Sequence, residues 1–420
     1  MNGQRSITFA QGIALYMGAV LGSGILILPG YTAEVAGPAS IVSWLILSLL
    51  SIPIAYTFAR LALKYEHFGG IATIVQHAFG HFWSAVVGWF FFVWVATGEA
   101  VVGLTGAAYL TEVLHLPRIY LYLFALVFLI VALLSNYLGM RISGMVSLTL
   151  SGIVLVLLIG TIVFAFPTME AQHFEPFAPN GISGIGRACV LIFWAFFGWE
   201  SITHLVPEFR NPKRDVMRST WASVFLIGAV YTLLSVVTIG THTYGDKGMA
   251  APLSVLMSKS IGLTAGAATA IIACIVCIGT LNVYIASSSR LGYALATEGK
   301  LPGWFAKLSG KGFPYRAGVF VFFTNALELL ISYNDEITVD TLILIPTTLG
   351  ILVYLIASIA CVKLLWNDII GRISALIASL CCLAVAPFSN GFLIVPVIVF
   401  LGCLGYMRYK KIRKTPFRSD

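Results

Sequence analysis

The chain has 420 residues, of which 59% are hydrophobic and only 10% charged, with a mean hydropathy of +0.94. A soluble domain carries about 25% charged residues, so this chain lacks the polar groups to cover a water-facing surface and is predicted to be an all-α membrane protein. The formal net charge of +8 does not argue for nucleic acid, because the basic residues cluster between apolar runs as topology signals do.

A membrane span needs about 20 apolar residues, and twelve runs qualify. They lie at 9–34, 39–63, 83–110, 119–137, 143–166, 185–206, 219–241, 263–289, 317–333, 341–365, 369–387 and 390–408. The first run holds Gly22-Ser23-Gly24 in its middle. Two glycines beside a serine weaken a helix where hydrocarbon supplies no water to the freed backbone groups. Such a break is tolerable where the freed groups line a cavity and meet a polar ligand; close helix packing through small residues is the alternative. We expect this run to remain as a span and not be cleaved as a signal peptide, since it is long and has no good A-x-A site.

Residues 64–82 carry His67, Gly69, Gly70, Gln76, His77 and His81 among apolar positions, which suggests an interfacial or re-entrant helix. Glu99 lies deep in the third span. An intramembrane carboxylate is a functional candidate: it could carry a proton, offset a cationic substrate, or hold a neighbouring helix by a hydrogen bond. The sixth span reads Phe193-Trp194-Ala195-Phe196-Phe197-Gly198-Trp199-Glu200-Ser201, again with a glycine and a carboxylate in its middle. Glu200 sits on this broken span and is the stronger proton candidate. Cys274-x-x-Cys277 has metal-site spacing but no nearby histidine, so its cysteines read as small packing residues. No metal centre, cofactor or catalytic residue is expected, and the chain reads as a non-enzyme.

The first and sixth spans thus carry matched interruptions five spans apart. An odd number of spans per half gives the halves opposite topology, and paired broken helices in such halves point to a transporter's central site. The predicted organisation is 1–167 and 184–366 as two inverted five-helix repeats, 367–408 as two further helices and 409–420 as a basic tail. Where a helix unwinds, the second half offers free N–H groups to a carboxylate and the first half offers carbonyls to an ammonium group. A free α-amino acid presents both charges. With the N-terminus cytoplasmic, only Arg118, Arg187, Lys247 and Lys259 of the 25 lysines and arginines fall on the outer side, so both termini are expected inside.

These motifs resemble the amino acid–polyamine–organocation superfamily of secondary transporters over nearly the whole chain. Gly22-Ser23-Gly24-Ile25 is similar to its G-S/T-G-I/V signature. Phe196-Phe197-Gly198-Trp199-Glu200, followed by Glu208-Phe209-Arg210-Asn211-Pro212-Lys213-Arg214, resembles its F-x-G-x-E…E-x-K/R-N-P-x-R pattern. Ser289-Arg290-Leu291-Gly292-Tyr293-Ala294 and Glu298-Gly299-Lys300-Leu301-Pro302 resemble its S-R-x-x-x-A…D/E-G-x-L/F-P pattern. The resemblance implies a LeuT-like fold with a five-plus-five inverted repeat and alternating access. It implies substrate carboxylate binding by the backbone of Gly22, Ser23, Gly24 and Ile25, and ammonium binding by carbonyls near Ala19 and Phe193 to Phe196. Trp194 matches an aromatic gate, with Phe196, Phe197 and Gly198 beside it. The sixth span, including His204, looks most like the bacterial exporters of methionine and branched-chain amino acids.

Some members carry a lysine in the fifth span in place of a sodium ion, and residues 143–166 have none. Ser287 and Ser288 are then candidate sodium ligands, since hydroxyls suit a hard cation, or they bond to their own helix. The sequence reading is a plasma-membrane transporter of neutral apolar L-amino acids, by efflux or exchange, coupled to a proton or to sodium. The rival is an importer of cationic amino acids or polyamines with Glu99 as counter-charge.

Overall fold

The computed structural model describes residues 7–65, 70–139, 144–201, 206, 209–245 and 251–414. His67, Gly69, Lys247, His204 and Glu208, singled out above, lie outside the described residues.

The first span is two helices. Thr8 caps α1 (Phe9–Val20) by accepting the Gln11 amide, while the Gln11 side chain accepts the Thr8 amide, and this reciprocal pair fixes the start. Leu21, at φ −74° and ψ 65°, leaves the helical path, and α2 (Gly24–Ala36) resumes after Ser23. Next come α3 (Ser40–Lys64), α4 (Ile71–Phe79), α5 (His81–Val113), α6 (Arg118–Tyr137) and α7 (Gly144–Ala165). The short α4 buries Ile71, Ile74, Val75 and Ala78, an i, i+3, i+4, i+7 stripe that packs it against the bundle, within the stretch where an interfacial or re-entrant helix was expected.

The sixth span begins as α8 (Gly181–Phe193), tightens into a 3₁₀ turn at Trp194–Phe196, breaks at Phe197 and Gly198, and resumes with a turn at Trp199–Ser201. Then follow α9 (Pro212–Gly240), the short α10 (Pro252–Ile261), α11 (Leu263–Thr297), α12 (Tyr315–Asn334), α13 (Val339–Leu364), α14 (Ile369–Val385) and α15 (Ile394–Lys414). At 1.5 Å per residue α11 is roughly 52 Å long, longer than the hydrocarbon core of about 30 Å, so it tilts or projects beyond it.

Ten helical stretches among the described residues are long and apolar enough to cross a membrane. Two of them, Gly24–Lys64 and Ile369–Lys410, each join two helices through a 3₁₀ link. Contacts between helix ends sort the bundle into two faces. On one, Arg60 near the end of α3 pairs with Asp368 before α14 at 2.5 Å, Lys410 reaches the Gly299 carbonyl after α11, and Ile7 pairs with Phe209. On the other, Arg118 meets Glu336 and Asn180 donates to the Val35 carbonyl. The first face holds the start of α1 and the end of α15, and is called the terminal face below.

Candidate substrate site

The two breaks meet. Gly198 has φ +119°, a backbone conformation that side chains rarely adopt. A Cβ there would lie 2.5 Å from the Ala19 carbonyl oxygen at the end of α1. Reciprocally, a Cβ on Gly24, which opens α2, would lie 3.2 Å from Ala195 and 2.9 Å from Trp194 Cδ1. Each break therefore needs a glycine to let the other half-span approach.

Tyrosines from distant helices satisfy what the breaks expose. The Tyr231 hydroxyl on α9 is 3.0 Å from the Val20 carbonyl and 3.4 Å from the Ala195 carbonyl, the last acceptors of the two first halves. The Gly198 amide donates to the Tyr354 hydroxyl and to Glu200 Oε2, each at 3.0 Å, and the Tyr354 hydroxyl donates to Glu200 in turn. The carboxylate of Glu200 is thereby held in the turn that follows the break.

Between the breaks lies a cavity of about 260 Å³, close to the roughly 300 Å³ lower end of small-molecule sites. Gly22, Gly198, Glu200 and Ser201 line it at the breaks, Ser151, Thr280, Tyr284 and Ser287 add hydroxyls from α7 and α11, and its apolar lining includes Leu150, Val154, Val276 and Phe197. It extends toward the terminal face, since Ser151 lies early in α7 and Ser287 late in α11. Phe197 sits 4.4 Å from the Trp94 ring and 5.2 Å from the Tyr354 ring, centroid to centroid, closing one side.

Of the residues expected around the substrate, Ala19, Gly22, Trp194, Phe197 and Gly198 line this cavity. Ser23, Gly24 and Ile25 are buried beneath the sixth span and are absent from the lining, as are Phe193 and Phe196. Phe196 packs on Tyr231 and Trp44, at 5.2 and 6.3 Å between centroids. On a regular helix successive residues point about 100° apart, so Phe193 at the end of α8 faces away from the cavity that Trp194 lines.

The same rule separates the proposed sodium ligands. Ser287 lines the cavity, whereas the Ser288 hydroxyl points away from it and donates to Glu99 Oε1 at 2.8 Å. Ser289 donates to its own helix at Ile285. Glu99 is fully buried off the cavity wall, while Glu200 is on it. The sequence reading missed Tyr231, Tyr284 and Tyr354; their signal was a phenol in the middle of an apolar span, which normally seeks a hydrogen-bond partner.

The chain matches the amino acid permease family across residues 7–407. It belongs to that family. It is 36% identical over 408 residues to an uncharacterized amino acid permease of Bacillus subtilis, covering 97% of this chain and 96% of the relative. It is 30% identical over 382 residues to the L-methionine/branched-chain amino acid exporter of Escherichia coli, covering 90% of each. A manganese transporter of Eremococcus coleocola, solved as a mutant, superposes with a TM-score of 0.54 at 13% identity, covering 96% of this chain and 95% of that one. The likeness to that structure concerns the fold. The permease is thus a multi-pass helical membrane protein that transports and is not an enzyme.

Proposed function

We propose that this permease is a secondary transporter of neutral apolar L-amino acids, of the methionine and branched-chain type, working by alternating access in the plasma membrane through efflux or exchange. The observation that carries this reading is the cavity itself: it lies against both helix breaks, with Glu200 and a few hydroxyls among a lining that is otherwise largely apolar. The ammonium group would face Glu200 and the carbonyls beside Ala19, and the apolar side chain would lie against Val154, Val276 and Phe197. The named activity of the Escherichia coli relative supports the same substrate class.

The first amides of α2 suit a carboxylate, but here Trp194 and Ala195 cover Gly24. Trp194 is therefore read as the gate: it seals the start of α2 while the cavity extends toward the terminal face. The clustering of basic residues supports a cytoplasmic terminal face. The importer of cationic amino acids or polyamines fits less well, because Glu99, its supposed counter-charge, does not reach the cavity.

Counterflow in liposomes tests the reading. Purified protein should exchange radiolabelled leucine and methionine saturably, and unlabelled arginine or putrescine should compete poorly. Absence of counterflow with every amino acid would sink it; strong competition by arginine would replace it with the cationic reading.

A further inference from the structure

A side chain from another helix bonds both backbone groups of one turn of α5. Asn325, fully buried on α12, accepts the Ala100 amide through Oδ1 at 2.5 Å and donates through Nδ2 to the Ala96 carbonyl at 2.7 Å. In an unbroken helix those two groups bond to each other, and a side chain inserted into the ladder loosens it locally. The same turn carries Gly98 and Glu99. A Cβ on Gly98 would fall 2.5 Å from the Trp194 ring, so this turn lies directly against the gate.

Glu99 has no exposed surface. Its Oε1 accepts the Ser288 hydroxyl at 2.8 Å, and its Oε2 has no hydrogen-bond partner among the described residues. The titratable groups facing it are Glu328 on α12 and Tyr284 on α11. From α13, Tyr354 is turned to Glu200. Among the described residues no lysine, arginine or histidine from α4, α6 or α15 forms an ion pair with it. An ionised carboxylate taken out of water without a counter-charge costs several kcal/mol, and its neighbours here are a hydroxyl, a second carboxyl and a phenol. Such surroundings accommodate the neutral acid, with a proton on Oε2.

We propose that Glu99 is a proton-binding site beside the substrate cavity, held by Ser288 and positioned by Asn325. The inference rests on the transport reading above and names its coupling ion. A proton from water on one face adds to Oε2 and later returns to water on the other; no bond but this O–H forms or breaks. Asn325 acts on Glu99 through the helix turn and is a positioning residue. The Gly98–Trp194 contact connects the charge state of that turn to the gate.

The test uses the full-length protein in liposomes loaded with a pH-sensitive dye, under an imposed pH gradient. Wild type should move protons in step with leucine. Glu99→Gln, a neutral amide of the same shape, should keep leucine counterflow within about twofold and lose at least tenfold of the leucine-dependent proton flux. Ser288→Ala and Asn325→Ala should shift the midpoint of the transport–pH profile with KM for leucine little changed, and Ser288→Thr should restore it. Should Glu99→Gln fail to fold, the Ser288 pair carries the test. Proton flux in Glu99→Gln equal to wild type overturns the proposal, as does a pH profile unmoved by Ser288→Ala. Wild-type counterflow without proton flux overturns it while leaving the transport reading intact; no counterflow at all removes both.

Discussion

Gly22 is the place where one methyl group separates binding from folding. A Cβ built there meets only the Tyr284 hydroxyl within 4 Å, at 3.9 Å, an ordinary van der Waals contact, and the residue is outside the left-handed region. Gly22→Ala should therefore leave the folded state unstrained. Restricting the unfolded chain favours it by about 0.4–1 kcal/mol, so the melting temperature should hold or rise slightly. The methyl, however, enters a cavity of about 260 Å³ at the first-span break. An extra methyl in a fitted pocket is worth about 1–3 kcal/mol, and tenfold in affinity is about 1.4 kcal/mol. Leucine affinity, read by ligand-induced thermal shift or equilibrium binding, should fall roughly tenfold or more. A Kd within twofold of wild type, in a protein that melts normally, would show that the substrate does not sit at this break. Gly24→Ala is the contrasting control: its Cβ would press on Trp194 at 2.9 Å and on Ala195 at 3.2 Å, so it should lower stability and transport together.

Tyr354→Phe removes the hydroxyl that serves both the Gly198 amide and Glu200; losing partners of buried polar groups costs about 1–3 kcal/mol, and a lower melting temperature with reduced leucine counterflow should be measured. Gly98→Val would drive a branched side chain into the Trp194 ring, already 2.5 Å from a Cβ, and counterflow should be lost while protein yield in the membrane persists. At the terminal face, burial alone would raise the Asp368 carboxyl, but the Gly371 amide and the Arg60 guanidinium outweigh it and hold it below the ordinary 3.8. A lowered folded-state value contributes stability in full above the unfolded value and loses it as pH falls through the folded one. Arg60 is 39% exposed, so the pair is worth at most about 1 kcal/mol. Asp368→Asn should lower the melting temperature slightly at pH 7, and the difference should shrink as pH is taken below 3.8.

The membrane class, the helical bundle and both breaks were legible because each is a local signal: an apolar run of fixed length, or a glycine where hydrocarbon discourages one. A helix within 64–82 was expected from scattered apolar positions among polar ones, and α4 lies there. What closes the site was not local. Tyr231 and Tyr354 reach the breaks from α9 and α13, and Asn325 reaches α5 from α12, across 225 residues of sequence. No periodicity announces such partners. Ser287 and Ser288, the candidate sodium ligands, are turned apart by their helix, one to the cavity and one to Glu99. Phe196, an aromatic beside the break expected on the substrate, packs between Trp44 and Tyr231 in this structure.

The reciprocal contacts at the breaks say how such a bundle can work. Gly198, opening the second half of the sixth span, touches Ala19 at the end of α1; Gly24, opening α2, touches Ala195 at the end of the sixth span's first half. Exchanging the two spans reproduces the same pair of contacts, which supports the proposed inverted repeat. If the contacts are equivalent, each first half can separate from its partner without disturbing the other pair. In this structure the Gly24–Ala195 pair is covered by Trp194, and the cavity lies on the terminal-face side. Alternating access then requires Trp194 to leave the Gly24 side as the Ala19–Gly198 side closes. Trp194 is wedged against both Gly24 of α2 and Gly98 of α5, which puts the turn bearing Glu99 directly against the proposed gate. Replacing Trp194 with leucine should uncouple the two: leucine counterflow would persist or quicken, while the dependence of transport on an imposed pH gradient would fall. Retention of that dependence would mean that Glu99 and the gate act independently.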